Sequence, residues 1–221
     1  MSNSIGNDPI VNPLKEAMDL LDLHYDAFFG IADIAEKTGH PVPMDTRGWS
    51  QILVSLIVGI RGVDRQKGPD LADGSDVKAA NTWNAIDTPR FNGVLKAGTK
   101  ALTSDEIASL DTMPHLYFVL WDNAPNKDAR CRVWAVRTQK DEPFRDMAER
   151  WYEKKRNGVI RSDNFQLNPP RGQDGDVFRN TCGNLSYPKL FDATRSSSDE
   201  SYKLHTYAVD VLSTGVCVPA V

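Results

Sequence analysis

Two aspartates and a lysine lie close together in the sequence, on either side of a short turn. Asp70 precedes the turn, and Asp76 and Lys78 follow it. Side chains alternate between the two faces of a strand, so Asp76 and Lys78 share one face while Val77 points to the other, towards a core. Two carboxylates beside an ammonium group predict a site for one hard divalent cation, with all three side chains facing solvent in a cleft.

The length of the turn decides whether Asp70 joins the other two side chains. A two-residue turn would put Asp70 on the wrong face of the hairpin. A three-residue loop, 72–74, would instead pair Asp70 with Asp76, and its last position favours a positive φ, which Gly74 adopts without strain. Directly opposed residues have Cβ atoms roughly 5 Å apart. The three-residue loop would therefore let both carboxylates bind the same cation.

These residues resemble the PD-(D/E)xK motif of type II restriction endonucleases and related nucleases. Pro69 and Asp70 match its first half, and Asp76, Val77 and Lys78 match its second half. The short gap is most similar to that of the mismatch-repair nicking endonuclease and its restriction-enzyme relatives. The resemblance implies that Asp70 and Asp76 hold Mg²⁺, with the Val77 carbonyl as a further ligand. It also implies that Lys78 orients the attacking water.

The same resemblance implies what the protein acts on. It suggests a magnesium-dependent type II endodeoxyribonuclease that cuts double-stranded DNA at a specific site. It also implies a homodimer, because most restriction enzymes of this kind act as dimers on palindromic sites. Two alternatives remain open: a repair nuclease of the same fold with low sequence preference, and a non-catalytic DNA-binding subunit with a decayed motif.

The helix before the motif differs from that of the relatives. Such a helix often contributes a further acid, but Ser55 stands roughly where the relatives have a glutamate. Gln51, Ser55 or Asp64 could act in its place through a water molecule, and the sequence does not choose among the three.

The composition limits the classes of function. The chain has 221 residues, of which 40% are hydrophobic and 25% charged, as expected for one compact domain. A formal net charge of -4 argues against binding polyanions through overall charge, so any DNA contact must come from a locally basic cleft. The cysteines and histidines lack metal-ligand spacing, no signal peptide is evident, and no apolar run could span a membrane. We therefore expect a soluble, cytoplasmic protein.

The hydrophobic pattern predicts an α/β protein. The expected fold is restriction-endonuclease-like, with a mixed central sheet flanked by helices and an αβββαβ core. We expect residues 1–221 to form a single domain, with the catalytic core at about 14–157 and a recognition and packing region at about 158–221. The predicted elements are two helical stretches between 13 and 37, a helix capped by Asp45 or Thr46, strands at 116–121 and 131–137, a helix at 144–156, a loop at 87–98 and a final strand at 208–212.

The segment after the last core helix is rich in side chains that can read bases. Arginine can contact guanine, and asparagine or glutamine can contact adenine, through two hydrogen bonds to one base edge. Phe165 and Leu167 alternate with the polar residues, so one face can pack while the other enters a DNA groove. A plain surface strand that ends at Pro169 and Pro170 is the alternative. The candidate base-contacting residues are Arg161, Asn164, Gln166, Asn168 and Arg171.

Overall fold

The computed structural model of the protein describes residues 12–40, 42, 45–63, 69–82, 89–96, 107–170 and 175–220. The helices are α1 (Pro13–Thr38), α2 (Thr46–Val58), α3 (Glu142–Arg156) and the short α4 (Val211–Thr214), and a 3-10 helix spans Ile107–Leu110. The strands, in chain order, are β1 (Asp76–Asn81), β2 (Phe91–Lys96), β3 (Leu116–Asn123), β4 (Ala129–Val136), β5 (Asn164–Leu167), β6 (Val177–Asn180), β7 (Gly183–Ser186), β8 (Lys189–Arg195), β9 (Lys203–Tyr207) and β10 (Val218–Pro219).

A five-stranded sheet with the spatial order β1-β3-β4-β8-β9 forms the centre of the molecule. β1 runs parallel to β3, whereas the other neighbouring pairs are antiparallel. The sheet is therefore mixed, and the chain order of α2, β1, β3, β4, α3 and β8 corresponds to the predicted αβββαβ core. The predicted restriction-endonuclease-like α/β fold is confirmed. Two smaller sheets, β2-β5 and β10-β7-β6, complete the part of the chain that the structure describes.

The central sheet separates two hydrophobic cores. On one face, α1 and α2 pack against alternate residues of the sheet, among them Val77 and Trp121. On the other face, α3 and the two smaller sheets cover residues that include Phe118 and Trp134. Because β3 is covered on both faces, its nearly continuous apolar sequence is buried along almost its whole length, as the sequence predicts.

The first helix is continuous, where the sequence predicts two helical stretches. Ala17, Leu21, Phe28 and Ala32 are all buried at helical spacing in the same core, so one apolar stripe runs through the supposed break. Asp45 caps α2 as predicted, because its side chain accepts a hydrogen bond from the backbone N–H of Arg47 at 2.9 Å. None of the helices within the described ranges is both long and apolar enough to cross a membrane.

Two predictions about irregular or terminal segments are wrong. The predicted loop at 87–98 contains β2, and the predicted final strand at 208–212 contains the start of α4 instead. The last strand of the central sheet, β9, comes just before it. The residues of β9 are exposed or half-buried and largely polar, so they give no hydrophobic signal, whereas Val209 is apolar yet exposed.

Candidate active site

The site is built on the first strand of the chain, which lies at an edge of the central sheet. Asp76 begins β1, and its N–H donates to the His115 carbonyl at 3.1 Å next to β3. The N–H and C=O of one strand residue point to the same side, and neighbouring residues alternate. The backbone groups of Val77 and Ala79 therefore point away from β3, towards the open edge.

A compact turn precedes this strand. The carbonyl of Ser75 accepts the N–H groups of both Asp70 and Leu71, at 3.0 and 3.1 Å. Gly74 has a φ of 96°, as the sequence predicts for this position. A Cβ atom there would lie 3.0 Å from the Thr112 carbonyl oxygen, so both the backbone angle and the close approach favour glycine.

The predicted strand pairing of Asp70 with Asp76 is wrong. The residue after Asp70, Leu71, forms an antiparallel bridge with Gly62 rather than with β1. Asp70 reaches β1 through its side chain instead, because its Oδ2 accepts the N–H of Val77 at 2.9 Å. The carboxylate takes the position of a strand partner at the open edge, so the two aspartates meet by a route that strand alternation does not describe.

A second contact fixes the other oxygen of Asp70. Gln51 on α2 donates from Nε2 to Asp70 Oδ1 at 2.6 Å. Arg47, one turn earlier on α2, has its Nη2 3.7 Å from the same oxygen. Of the three residues considered for the missing acid, Gln51 thus contacts the acidic pair. Ser55 lies one turn further along α2, and Asp64 lies outside the described residues.

Asp76 sits between one negative and one positive neighbour. Its Oδ2 contacts Lys78 Nζ, and the Asp70 carboxyl group is its acidic neighbour. Burial, and then the hydrogen bond with Asp70, raise the pKa of Asp76 to about 6, although Lys78 acts in the opposite direction. The side chains of Asp70, Asp76 and Lys78 are only 8%, 12% and 21% exposed. They are less open to solvent than the sequence predicts, because the turn and α2 cover them.

The oxygen atoms at this place suit a hard divalent cation. A cation between two neighbouring buried carboxylates would favour the charged form of both. The Val77 carbonyl points to the same open edge as the N–H that Asp70 binds. No cluster of three or more His, Cys, Asp or Glu side chains suited to a metal occurs among the described residues. Main-chain and water oxygens would therefore have to complete the coordination.

Lys78 opens onto a groove of about 390 Å³ along the free edge of β1. One wall is formed by Val77, Lys78 and Ala79, together with the start of α2. The opposite wall carries Arg90 and Asn92 of the β2 region and Asn164 of β5. The sequence does not single out Arg47, Arg90 or Asn92. The position of Arg47, four residues before Gln51 on one helix face, is the only signal that could have found one of them.

The predicted base-contacting residues differ in how close they lie to the groove. β5 pairs with β2, and Phe165 and Leu167 are buried beneath it as predicted. Asn164 is exposed and lines the same groove as Lys78, and Gln166 is half-buried on the same face of β5.

Asn168 and Arg161 flank this strand. Asn168 exchanges backbone hydrogen bonds with Arg179 at 2.9 and 3.0 Å. Arg161 is exposed, and its carbonyl accepts a hydrogen bond from Lys155 Nζ at 2.7 Å. Arg171 lies outside the described residues.

The fold is that of the restriction-endonuclease-like proteins, and an acidic pair with a lysine on an edge strand is the arrangement expected of a PD-(D/E)xK nuclease. The sequence model of the MamI restriction endonuclease family matches residues 33–202. The chain is also similar to the type II restriction enzyme MamI of Microbacterium ammoniaphilum, with 35% identity over 182 residues, or 75% of this chain. The chain therefore belongs to the MamI restriction endonuclease family. It spans 57% of the length of that relative. The search of solved structures gave no match.

Proposed function

We propose that the protein is a Mg²⁺-dependent type II restriction endonuclease that hydrolyses phosphodiester bonds of double-stranded DNA at a specific sequence. The proposal rests on membership of the MamI restriction endonuclease family and on the contact between Asp70, Asp76 and Lys78 at the edge of the sheet. It includes a homodimer that acts in the cytoplasm, as the resemblance to dimeric restriction enzymes suggests.

The single observation that carries the proposal is that two acids and a lysine meet beside an open groove. Two largely buried carboxylates face one lysine, and burial and Asp70 raise the pKa of Asp76 to about 6. Arg47 also lies beside Asp70, so the acids stand at a groove lined with basic side chains, where a cation and a phosphate would meet.

In this proposal, Asp70, Asp76 and the Val77 carbonyl hold the cation. Magnesium supplies, when bound, the positive charge that polarises the scissile phosphate and lowers the pKa of a nearby water. Lys78 Nζ, held by Asp76, orients the attacking water and stabilises negative charge as it develops on the phosphate. Gln51 and the Val77 N–H keep the Asp70 carboxylate in one orientation.

Sequence recognition is assigned to the face of β5 and the residues beside it. Asn164 supports this assignment because it shares the groove with Lys78, so a DNA strand near the acids would pass it. Gln166 follows on the same face of the strand. The residues that we propose as base contacts are Arg161, Asn164, Gln166, Asn168 and Arg171.

Digestion of plasmid DNA tests the proposal and separates it from its alternatives. Purified protein is incubated with plasmid in Mg²⁺, in Ca²⁺ and with a chelator. We expect discrete fragments in Mg²⁺ only, because the looser coordination of Ca²⁺ positions the water poorly. A smear in Mg²⁺ would support a repair nuclease of low sequence preference. Intact DNA under every condition, with DNA still bound, would support the non-catalytic subunit.

A further inference from the structure

Two arginines line the groove that contains Lys78, in positions to which the motif assigns no role. Arg47 belongs to the first turn of α2, and Arg90 lies just before β2 on the opposite wall. Lys78 lies on β1, in the same wall as Arg47. Three basic side chains therefore line one open groove in a chain whose formal net charge is -4.

Arg47 lies beside the acidic pair without being held tightly by it. Its Nη2 is 3.7 Å from Asp70 Oδ1, an oxygen that already accepts a 2.6 Å hydrogen bond from Gln51. The Arg47 side chain is 69% exposed. A carboxylate contact of this length at an exposed position contributes little to stability. The Arg47 side chain is therefore placed to contact a ligand that binds next to Asp70.

The acidic residue that lines the groove is engaged in capping α2. Asp45 also lines the groove, but its side chain accepts the backbone N–H of Arg47 as the cap of α2. The capped helix end is thus partly satisfied within the protein, and the guanidinium group is what remains for a ligand. Guanidinium groups bind phosphate oxygens through two parallel hydrogen bonds, a geometry that lysine lacks.

We infer that Arg47 binds the DNA phosphate that is cut, beside Asp70 and Lys78, and that Arg90 binds a neighbouring phosphate across the groove. The inference rests on the proposed function, because it takes DNA as the substrate. It adds two substrate-binding residues with different roles. Arg47 acts on the reacting phosphate, so it affects the rate of cutting. Arg90 acts beside it, so it affects mainly affinity.

The test compares four variants with the wild-type protein. Arg47→Ala and Arg90→Ala remove the two guanidinium groups, and Arg47→Lys keeps the charge of Arg47 but loses the paired hydrogen bonds. Arg150→Ala is the matched control, because Arg150 is an exposed arginine on α3, outside the groove. DNA affinity is measured in Ca²⁺ at several salt concentrations, and the single-turnover rate is measured in Mg²⁺ at saturating DNA.

We expect Arg47→Ala to slow single-turnover cutting on the order of 100-fold, as for loss of one donor to a developing charge. Arg47→Lys should recover part of this loss. Arg90→Ala should leave the saturated rate near wild type, but should weaken binding about tenfold and reduce the salt slope by about 1. Arg150→Ala should behave as wild type in both measurements.

The outcomes separate this inference from the proposed function. If the wild-type protein cuts DNA and both groove variants match Arg150→Ala, the groove assignment is wrong while the nuclease stands. If the wild-type protein binds without cutting, and Arg47→Ala and Arg90→Ala each reduce the salt slope, the groove is a phosphate site and the cleavage proposal fails. If the wild-type protein neither binds nor cuts DNA, both proposals fail.

Discussion

Two acidic clusters among the described residues, one on β8 and one at the start of β1, differ in how the protein balances their charges. On β8, Asp192 accepts hydrogen bonds from Arg130 Nε at 2.8 Å and Nη2 at 2.6 Å, and Lys189 Nζ lies 3.4 Å away. Burial alone would raise the pKa of Asp192, but Arg130 and Lys189 lower it overall. This cluster is neutralised from within the protein.

The cluster at the start of β1 has the opposite balance. Asp76 shares its surroundings with a second carboxylate, Asp70, and contacts Lys78. Its pKa is raised, to about 6, by burial and by Asp70, even though a lysine touches it. The contacts of Asp192 join two neighbouring strands as an ion pair, whereas the two acids at β1 lie together beside a groove. Because both clusters contain buried charge, the raised pKa of Asp76 beside a groove is the difference that points to function.

The largest expected effect comes from neutralising Asp70 and Asp76, the acids of the cluster at the start of β1. Asp70→Asn and Asp76→Asn should each reduce cutting about a thousandfold or more, because each removes a charge from the proposed cation site. Both variants keep the side-chain shape, and Asp70→Asn keeps an oxygen for the Val77 N–H. The melting temperature of Asp76→Asn should stay close to that of the wild type, since the lost contact with Lys78 is offset by relief of the repulsion between the acids. Asp70→Asn should lower it slightly, because its amide NH2 group would face the Gln51 Nε2 donor. Near-normal cutting by either variant would remove the catalytic assignment.

The cluster around Asp192 should respond in the reverse way, with a loss of stability and unchanged cutting. Asp192→Asn removes the buried charge that Arg130 and Lys189 both contact, so it should lower the free energy of unfolding by about 3 kcal/mol. Cutting per folded molecule should remain near wild type. Urea titration measures the first quantity, and active-site-saturated cutting measures the second. Asp33→Asn is the control, because its exposed contact with Lys127 at 3.8 Å should change stability by less than about 0.5 kcal/mol. A stable but inactive Asp192→Asn protein would contradict the contrast between the clusters.

The same contrast between internal and external partners applies to the amides near β5. Asn180 is occupied within the protein, because it donates to the Gln166 carbonyl at 2.6 Å and accepts the Cys182 N–H at 2.8 Å. Asn164 and Gln166 are the proposed base contacts. Asn164→Ala and Gln166→Ala should each lose about 1–3 kcal/mol of discrimination between cognate and scrambled duplexes in filter-binding titrations. Asn180→Ala should lose stability with unchanged discrimination. Equal losses on both duplexes would mean that Asn164 and Gln166 do not read bases.

The smallest effect concerns the turn that brings the acids together. Gly74→Val should cost about 1–2 kcal/mol from the positive φ alone, and the approach to the Thr112 carbonyl adds to it. Ala72→Val is the control, because Ala72 is exposed in the same turn. Cutting should fall further in Gly74→Val than in Ala72→Val, since a distorted turn displaces Asp70. Equal behaviour of the two variants would mean that the turn does not position Asp70.

The sequence predicts the centre of this fold well and its margins poorly. β3 and β4 have apolar runs long enough to be recognised, and α2 has both a cap and a helical stripe. β2 escapes because Gly93 has a positive φ of 62° and the pairing with β5 shifts register there. Its buried residues, Phe91, Val94 and Leu95, therefore do not alternate as those of a regular strand do.

At the site, the sequence predicts which residues meet but not how they meet. Alternation along β1 places Asp76 and Lys78 together correctly. It cannot describe Asp70, whose carboxylate replaces a strand partner by accepting the Val77 N–H. Nor can it choose Gln51, which reaches Asp70 across 19 positions of the sequence. Both contacts depend on how the turn and α2 pack against the edge of the sheet, which local patterns do not contain.

The central claim is that Asp70 and Asp76 form a cation site, and binding of Mn²⁺ tests it most directly. Paramagnetic resonance of free Mn²⁺ is recorded during titration of wild type, Asp76→Asn and Asp192→Asn, each in the presence of duplex DNA. We expect wild type and Asp192→Asn to remove Mn²⁺ from solution equally, and Asp76→Asn to bind at least about tenfold more weakly. Equal binding by wild type and Asp76→Asn, or a loss confined to Asp192→Asn, would contradict the claim.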